Sequence, residues 1–152
     1  MTTAEVTNMF IEKINTADVD ALCELMSENH IFVDAGGYIV QGREAMRKAW
    51  QGYFAMVPDY WVESERVLGE GDVVAVFGRA GGTCTSDGEL KPENRWEIPA
   101  AWQAVVRNGR VVEWRVYADN EPIRRIMTRE AEKKGTASNQ SKPPSPSEMS
   151  GR

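Results

Sequence analysis

From Arg95 to Arg107 the chain alternates, with Trp96, Ile98, Ala100, Trp102, Ala104 and Val106 on one side, and then reads Asn108-Gly109. A period of two over that length predicts a long strand with one buried face. Asn-Gly is the strongest short signal for a two-residue type I′ turn, whose two central residues both need positive φ. The next segment, Arg110 to Asp119, must therefore fold back as an antiparallel strand. This hairpin constrains the fold more than any other feature.

Upstream, Tyr60–Leu68 and Val73–Ala80 read as two further strands joined by a turn at Glu70-Gly71-Asp72. Gly81 to Glu93 reads as a polar loop. The first third of the chain is helical. Thr3–Asn15 places Val6, Met9, Phe10 and Ile14 along one stripe, and Asp18 caps a second helix bearing Val19, Leu22, Leu25 and Met26. Gly42-Arg43-Glu44-Ala45 opens a third, whose apolar face runs Ala45, Met46, Ala49, Trp50, Tyr53, Phe54, Val57 until Pro58 stops it. Pro122 to Lys133 predicts a terminal helix. Helices first and a mostly antiparallel sheet after them define an α+β chain.

At 152 residues one domain is expected, assigned to residues 1–130, with residues 131–152 as a disordered tail. From about Gly135 the tail turns to Gly, Ser, Thr, Asn, Gln, Lys and Pro, too polar to offset its ordering entropy. The net charge is −5; the last 25 residues hold five cations against three anions, so the other 127 carry about −7. Such an acidic body offers no basic face for phosphates, which excludes nucleic acid as a partner. No apolar run reaches membrane-spanning length and no signal pattern opens the chain, so neither a membrane nor export is expected. Cys23 and Cys84 read as reduced thiols of a cytoplasmic protein. With one histidine and scattered carboxylates there is no metal-ligand cluster, and no phosphate loop or dinucleotide fingerprint is present. No cofactor is expected.

Chemistry concentrates in His30-Ile31-Phe32-Val33-Asp34-Ala35-Gly36-Gly37, a strand ending in a carboxylate beside a glycine turn. Alternation sets His30, Phe32 and Asp34 on one face, an arrangement suited to proton transfer in a pocket. Asp34 equally fits as the cap of its own turn, and His30 as a satisfied core imidazole. Asp119 is a second candidate acid, or the cap of the helix that follows. It shares parity with Tyr117, opposite Trp114 and Val116, so both sets face one pocket only if a bulge intervenes. Tyr53 and Tyr117 are the candidate phenol donors to a ligand.

The order of elements, with the segments Asn15-Thr16-Ala17-Asp18-Val19-Asp20, His30–Asp34, Gly42-Arg43-Glu44-Ala45-Met46 and Trp114-Arg115-Val116-Tyr117-Ala118-Asp119, resembles the nuclear transport factor 2-like superfamily. Within it the chain is similar to the SnoaL-like group, which includes polyketide cyclases, with ketosteroid isomerase and limonene epoxide hydrolase as relatives. The resemblance covers roughly residues 3–130. It implies a cone, a curved sheet wrapped around about three N-terminal helices with a pocket at the open end, and a homodimer. Asp34 falls where ketosteroid isomerases keep their proton-shuttling carboxylate. Their enolate donors are unmatched: the first-helix tyrosine falls on Phe10, and the strand aspartate on Ala101 or Trp102. For limonene epoxide hydrolases, Asp119 and Arg79 match, while the middle Asp falls on Gly81, the Tyr on Phe32 and the Asn on Asp34. SnoaL-type cyclases keep an acid/base on the last strand, which Asp119 matches.

The resulting expectation is a cofactor-independent enzyme that isomerises or cyclises a small apolar carbonyl compound. Asp34, Asp119 and His30 are its catalytic candidates; Phe10, Phe32, Trp50, Tyr53, Trp102 and Tyr117 are its ligand-binding candidates. The alternative is a non-catalytic module of the same fold that binds a hydrophobic ligand or assembles as a dimer.

Overall fold

The computed structural model describes residues 1–135. Thr2 and Glu5 form a reciprocal capping box that starts helix α1, Thr3–Asn15. Val6, Phe10 and Ile14, each four residues from the last, are buried along it with Ile11. Asp18 accepts from the Ala21 N–H at 3.1 Å and starts α2, Val19–Leu25. Strand β1, Met26–Val33, follows at once and continues through a turn into the short β2, Ile39–Gln41. Helix α3, Arg43–Met56, buries Met46, Trp50 and Tyr53. Four strands follow: β3 Trp61–Glu70, β4 Val73–Thr83, β5 Arg95–Arg107 and β6 Arg110–Ala118. Helix α4, Glu121–Gly135, ends the described chain, so residues 131–135 of the expected tail are helical, and residues 136–152 lie outside the described residues.

The strands form one curved sheet in the order β2-β1-β6-β5-β4-β3. Every pairing is antiparallel except β1 with β6. The hairpin predicted from Asn108-Gly109 is present, with φ of 52° and 74° at those residues, as a type I′ turn requires. Trp96, Ile98, Trp102, Ala104 and Val106 of β5 all turn inward, joined by Val74, Val76 and Ala80 of β4 and by Trp114 and Val116 of β6. Helices α1 to α3 pack on this inner face, which makes the α+β layering of the sequence reading. No helix among the described residues is long and apolar enough to cross a membrane.

Three further features differ from the sequence reading. Strand β1 begins at Met26 rather than His30; a buried apolar residue at that point satisfies a helical stripe and a strand equally. Strand β2 has three residues and no buried one, too few for any periodicity to register. The third is the supposed loop from Gly81, because β4 runs on to Thr83. Gly81 and Gly82 are strand residues against which side chains lie directly. A Cβ at Gly81 would sit 2.5 Å from the Trp61 ring, and one at Gly82 would sit 2.4 Å from Val57 Cγ1. Glycine marks close approach here, not a turn. Gly82→Ala should therefore lower stability by about 1–3 kcal/mol in urea unfolding with an unchanged m-value. An unaltered midpoint would show that Val57 makes room freely.

Candidate functional site

Register fixes where the candidates lie. Val33 pairs with Arg115 in the parallel β1–β6 ladder, so the next residue, Asp34, lies alongside Val116. Val116 pairs with Trp102, and Trp102 with Val76. Asp34 stands one residue past the end of the β1–β6 ladder, where its parity continues the inner-face row of Val116 and Trp102. The next row toward the sheet's end is Ala118, Ala100 and Gly78, a strip of small side chains.

Asp34 is 3% exposed. Its Oδ1 accepts from the Gly36 N–H at 2.9 Å and from the Tyr38 N–H at 3.0 Å. Its main chain also closes the turn, donating to the Tyr38 carbonyl and accepting from the Gly37 N–H. The turn-cap reading is therefore fulfilled, by a carboxylate that is also buried at the edge of the aromatic core. The two readings of this residue are compatible.

His30 is fully buried. Between the pairs Met26↔Val111 and Ile31↔Glu113 the two strands lose register, with five steps along β1 against two along β6. Strand β1 arches there, and the His30 ring closes the gap by donating from Nδ1 to the Val111 carbonyl at 2.7 Å. A carbonyl only accepts, so the proton sits on Nδ1 and Nε2 is the bare nitrogen. Nε2 has no hydrogen-bond partner among the described residues, and the Phe10 ring lies 6.1 Å away. Burial pushes the imidazole down to about 4, against the Val111 bond and the Glu113 charge, which favour protonation. His30 is neutral at pH 7 and pins the arch. Four residues of extended chain set its Cα about 13 Å from that of Asp34, beyond direct contact.

Asp119 is exposed, and its Oδ1 accepts from the Glu121 N–H at 3.0 Å as α4 begins. It serves the helix start, as its alternative reading held. Tyr117 is 53% exposed. From Trp114 to Ala118 the pairing with β5 is unbroken, and the bulge in this hairpin lies earlier, between the pairs of Val105 and Val106. Tyr117 therefore projects from the outer face, in a row with Ala101 and Phe77. Arg79 is half-buried and bonded to Glu97 at 2.7 Å.

Phe10, Phe32, Trp50, Tyr53 and Trp102 are all at most 3% exposed. Four of them, all but Phe32, fall into two groups of ring contacts. Phe10 meets Trp114 at 5.0 Å, and Trp114 stacks on Trp102 at 6.3 Å. Trp50 stacks on Phe54 at 5.2 Å, while Tyr53 meets Tyr60 edge-on at 4.9 Å. Trp114 joins the site only through the structure, although its parity with Val116 was the signal for it. The indole N–H groups of Trp50 and Trp102 are buried without a partner among the described residues. Burial raises the Tyr53 hydroxyl well above its usual range, so it stays a donor.

His30 makes stability depend on pH. The unfolded chain binds a proton at His30 as pH falls from 6.5 to about 4, whereas the folded chain does not, so stability is complete above that window and drains on acidification. The loss attributable to His30 is roughly 3 kcal/mol across the window. His30→Gln should flatten this slope in urea unfolding between pH 7 and pH 4.5. His30→Phe should flatten it too and cost about 1–3 kcal/mol at pH 7, by leaving the Val111 carbonyl without its donor. A wild-type slope retained in both variants would contradict the assignment.

Solved structures share this architecture. A protein from Catenulispora acidiphila with a ketosteroid isomerase-like fold, bound to trimethylamine, superposes with a TM-score of 0.70 at 21% identity over 82% of this chain and 92% of its own. IdmH of Streptomyces antibioticus, named as a candidate polyketide cyclase, gives 0.70 at 23% identity over 84% and 99%. A candidate SnoaL-like polyketide cyclase from Shewanella putrefaciens gives 0.71 at 16% identity over 85% and 88%. At these identities the likeness is one of fold. No curated protein matches the sequence. The family model of the SnoaL-like domain matches residues 7–114, most of the chain. With its helices and curved sheet in place, this chain belongs to the SnoaL-like domain family.

Proposed function

We propose that the chain is a cofactor-independent enzyme that moves a proton on a small apolar carbonyl compound, with Asp34 as the base. One observation carries this reading: a carboxylate 3% exposed stands directly after β1, where its parity continues the inner-face row of Val116 and Trp102. Its Oδ1 is held by two backbone donors, which fixes the group in orientation. In the proposed step the carboxylate takes a proton from the carbon next to the carbonyl. The C–H electron pair becomes the enolate C=C bond, and charge moves to oxygen. The unpartnered Trp102 N–H would donate to that oxygen. Asp34 then returns the proton elsewhere on the enolate, completing an isomerisation, or the enolate carbon attacks a second carbonyl of the same substrate, whose C=O π pair moves to oxygen and takes the proton back from Asp34. His30 holds the strand that carries the base, and Asp119 starts α4; neither touches the reacting atoms in this scheme. The names of the candidate cyclases among the structural neighbours agree with such a substrate.

A second reading, a module that assembles or binds without turnover, draws on a different observation. The inner aromatics pack on one another, while Phe77 at 46% and Tyr117 at 53% exposure flank Ala101 on the outer face. A row of that kind suits a second copy of the chain, so we propose a homodimer through this face under either reading.

Deuterium incorporation into a panel of enolisable ketones and β,γ-enones, followed by NMR, separates the two. Asp34→Asn keeps an acceptor for Gly36 and Tyr38 and should lower exchange by about 10²–10⁴-fold. Asp119→Asn should change it little. Exchange that persists in Asp34→Asn would remove the base from its role, and binding of panel compounds without exchange would favour the module.

A further inference from the structure

Helix α4 closes the end of the sheet at which Asp34 lies. It leaves β6 after Ala118, and β6 runs parallel to β1, so α4 begins where β1 delivers Asp34. From there it packs on β5 and reaches the segment between β4 and β5. Its inward face is narrow. Ile123 and Ile126 are buried, Met127 is half-buried, and nearly all the rest is charged or polar.

Its attachments divide into a pivot and a latch. At the near end Asp119 Oδ1 accepts from the Glu121 N–H, and the Asn120 carbonyl accepts from the Ile123 and Arg124 N–H groups. At the far end Arg129 Nη2 donates to the Glu93 carbonyl at 2.6 Å and to Asn94 Oδ1 at 2.8 Å, and Lys134 reaches Ser86. Pairs internal to the helix, Glu121 with Arg124 and Arg125 and Glu130 with Lys133, would survive its release. No strand pairing includes α4, so undocking it breaks no ladder. A helix with so few apolar anchors belongs to the least stable part of a fold and opens before the rest.

The small residues Ala100 and Ala118 form the row next to Asp34, and α4 leaves the sheet directly after Ala118. Cys84 lies at the far end of α4, just past β4. It is 6% exposed, its N–H donates to the Asn94 carbonyl, and it feels the charge of Glu130.

We propose that α4 is a hinged lid, pivoting at Asp119-Asn120 and latched by Arg129 on Glu93 and Asn94, which swings open with the sheet intact to admit an apolar ligand to Asp34. The lid's purpose rests on the proposed role of Asp34, but its motion does not, and the test needs neither ligand nor activity. The two cysteines report on different events. Cys84 lies beside the latch, bonded to Asn94 and close to Glu130 of α4, whereas Cys23, 1% exposed, lies on α2. Burial pushes the Cys84 thiol up to about 11, so the closed form is unreactive at neutral pH.

The full chain is treated with iodoacetamide in native buffer, and each cysteine is followed by peptide mass spectrometry, with rates referred to the same peptides in urea. Lid opening predicts that Cys84 reacts at least about 100-fold faster than Cys23, the gap between local and global opening. Arg129→Ala should raise the Cys84 rate by a further factor of about ten and leave Cys23 within about twofold. Equal rates at the two cysteines would overturn the lid, as would a Cys84 rate indifferent to Arg129→Ala. A failed isotope-exchange assay would withdraw the chemistry at Asp34 and leave these rates as they stand.

Discussion

Strand β5 is the part on which the others depend. It pairs with β4 from Arg95 to Val105 and with β6 from Ala100 to Arg107, so its alternation decides what faces inward on both neighbours. A slip of β5 by one residue would turn Trp96 and Trp102 out to solvent together and leave Trp114 of β6 without its stacking partner. The inner face is where most of the large apolar area is buried, so this single register carries most of the hydrophobic driving force. It also sets the site: Trp102 fixes Val116, and Val116 fixes the row in which Asp34 lies.

The arch in β1 is the second constraint. Strand β1 must leave α2, pair with β6 in the parallel sense and still deliver Asp34 to the turn before β2. Extra residues between Met26 and Ile31 absorb the mismatch, and a buried imidazole supplies the donor that the interrupted ladder lacks at Val111. The only histidine of the chain is thus explained by a backbone acceptor. Its neutrality follows from the same burial.

Much of this was legible in the sequence, for a physical reason. Periodic burial writes itself into residue order, so the three N-terminal helices and the long hairpin could be read directly. Asn108-Gly109 and Asp18 act through local geometry, and both do what their chemistry requires. The exposed position of Tyr117 was implicit in its parity against Trp114. The parallel pairing of β1 with β6 was not legible, because nothing local encodes a partner about eighty residues away. Gly81-Gly82 misled because glycine signals equally a turn and a close approach, and only the positions of Trp61 and Val57 distinguish them. At the site, Asp34 with its glycine turn was visible. The role of His30 was hidden, since it exists only once the arch has formed. Asp119 could be read either way until α4 was seen to begin on it.

The proposed function assigns ligand chemistry to the inner face at Asp34 and assembly to the outer face at Phe77 and Tyr117. The most direct measurement is a backbone amide chemical-shift titration with 2-naphthol, a neutral mimic of an enol. The account predicts shifts centred on Asp34, Gly36 and Tyr38 and on Trp102 and Ala118. Shifts confined to Phe77, Ala101 and Tyr117, or none at all, would contradict it.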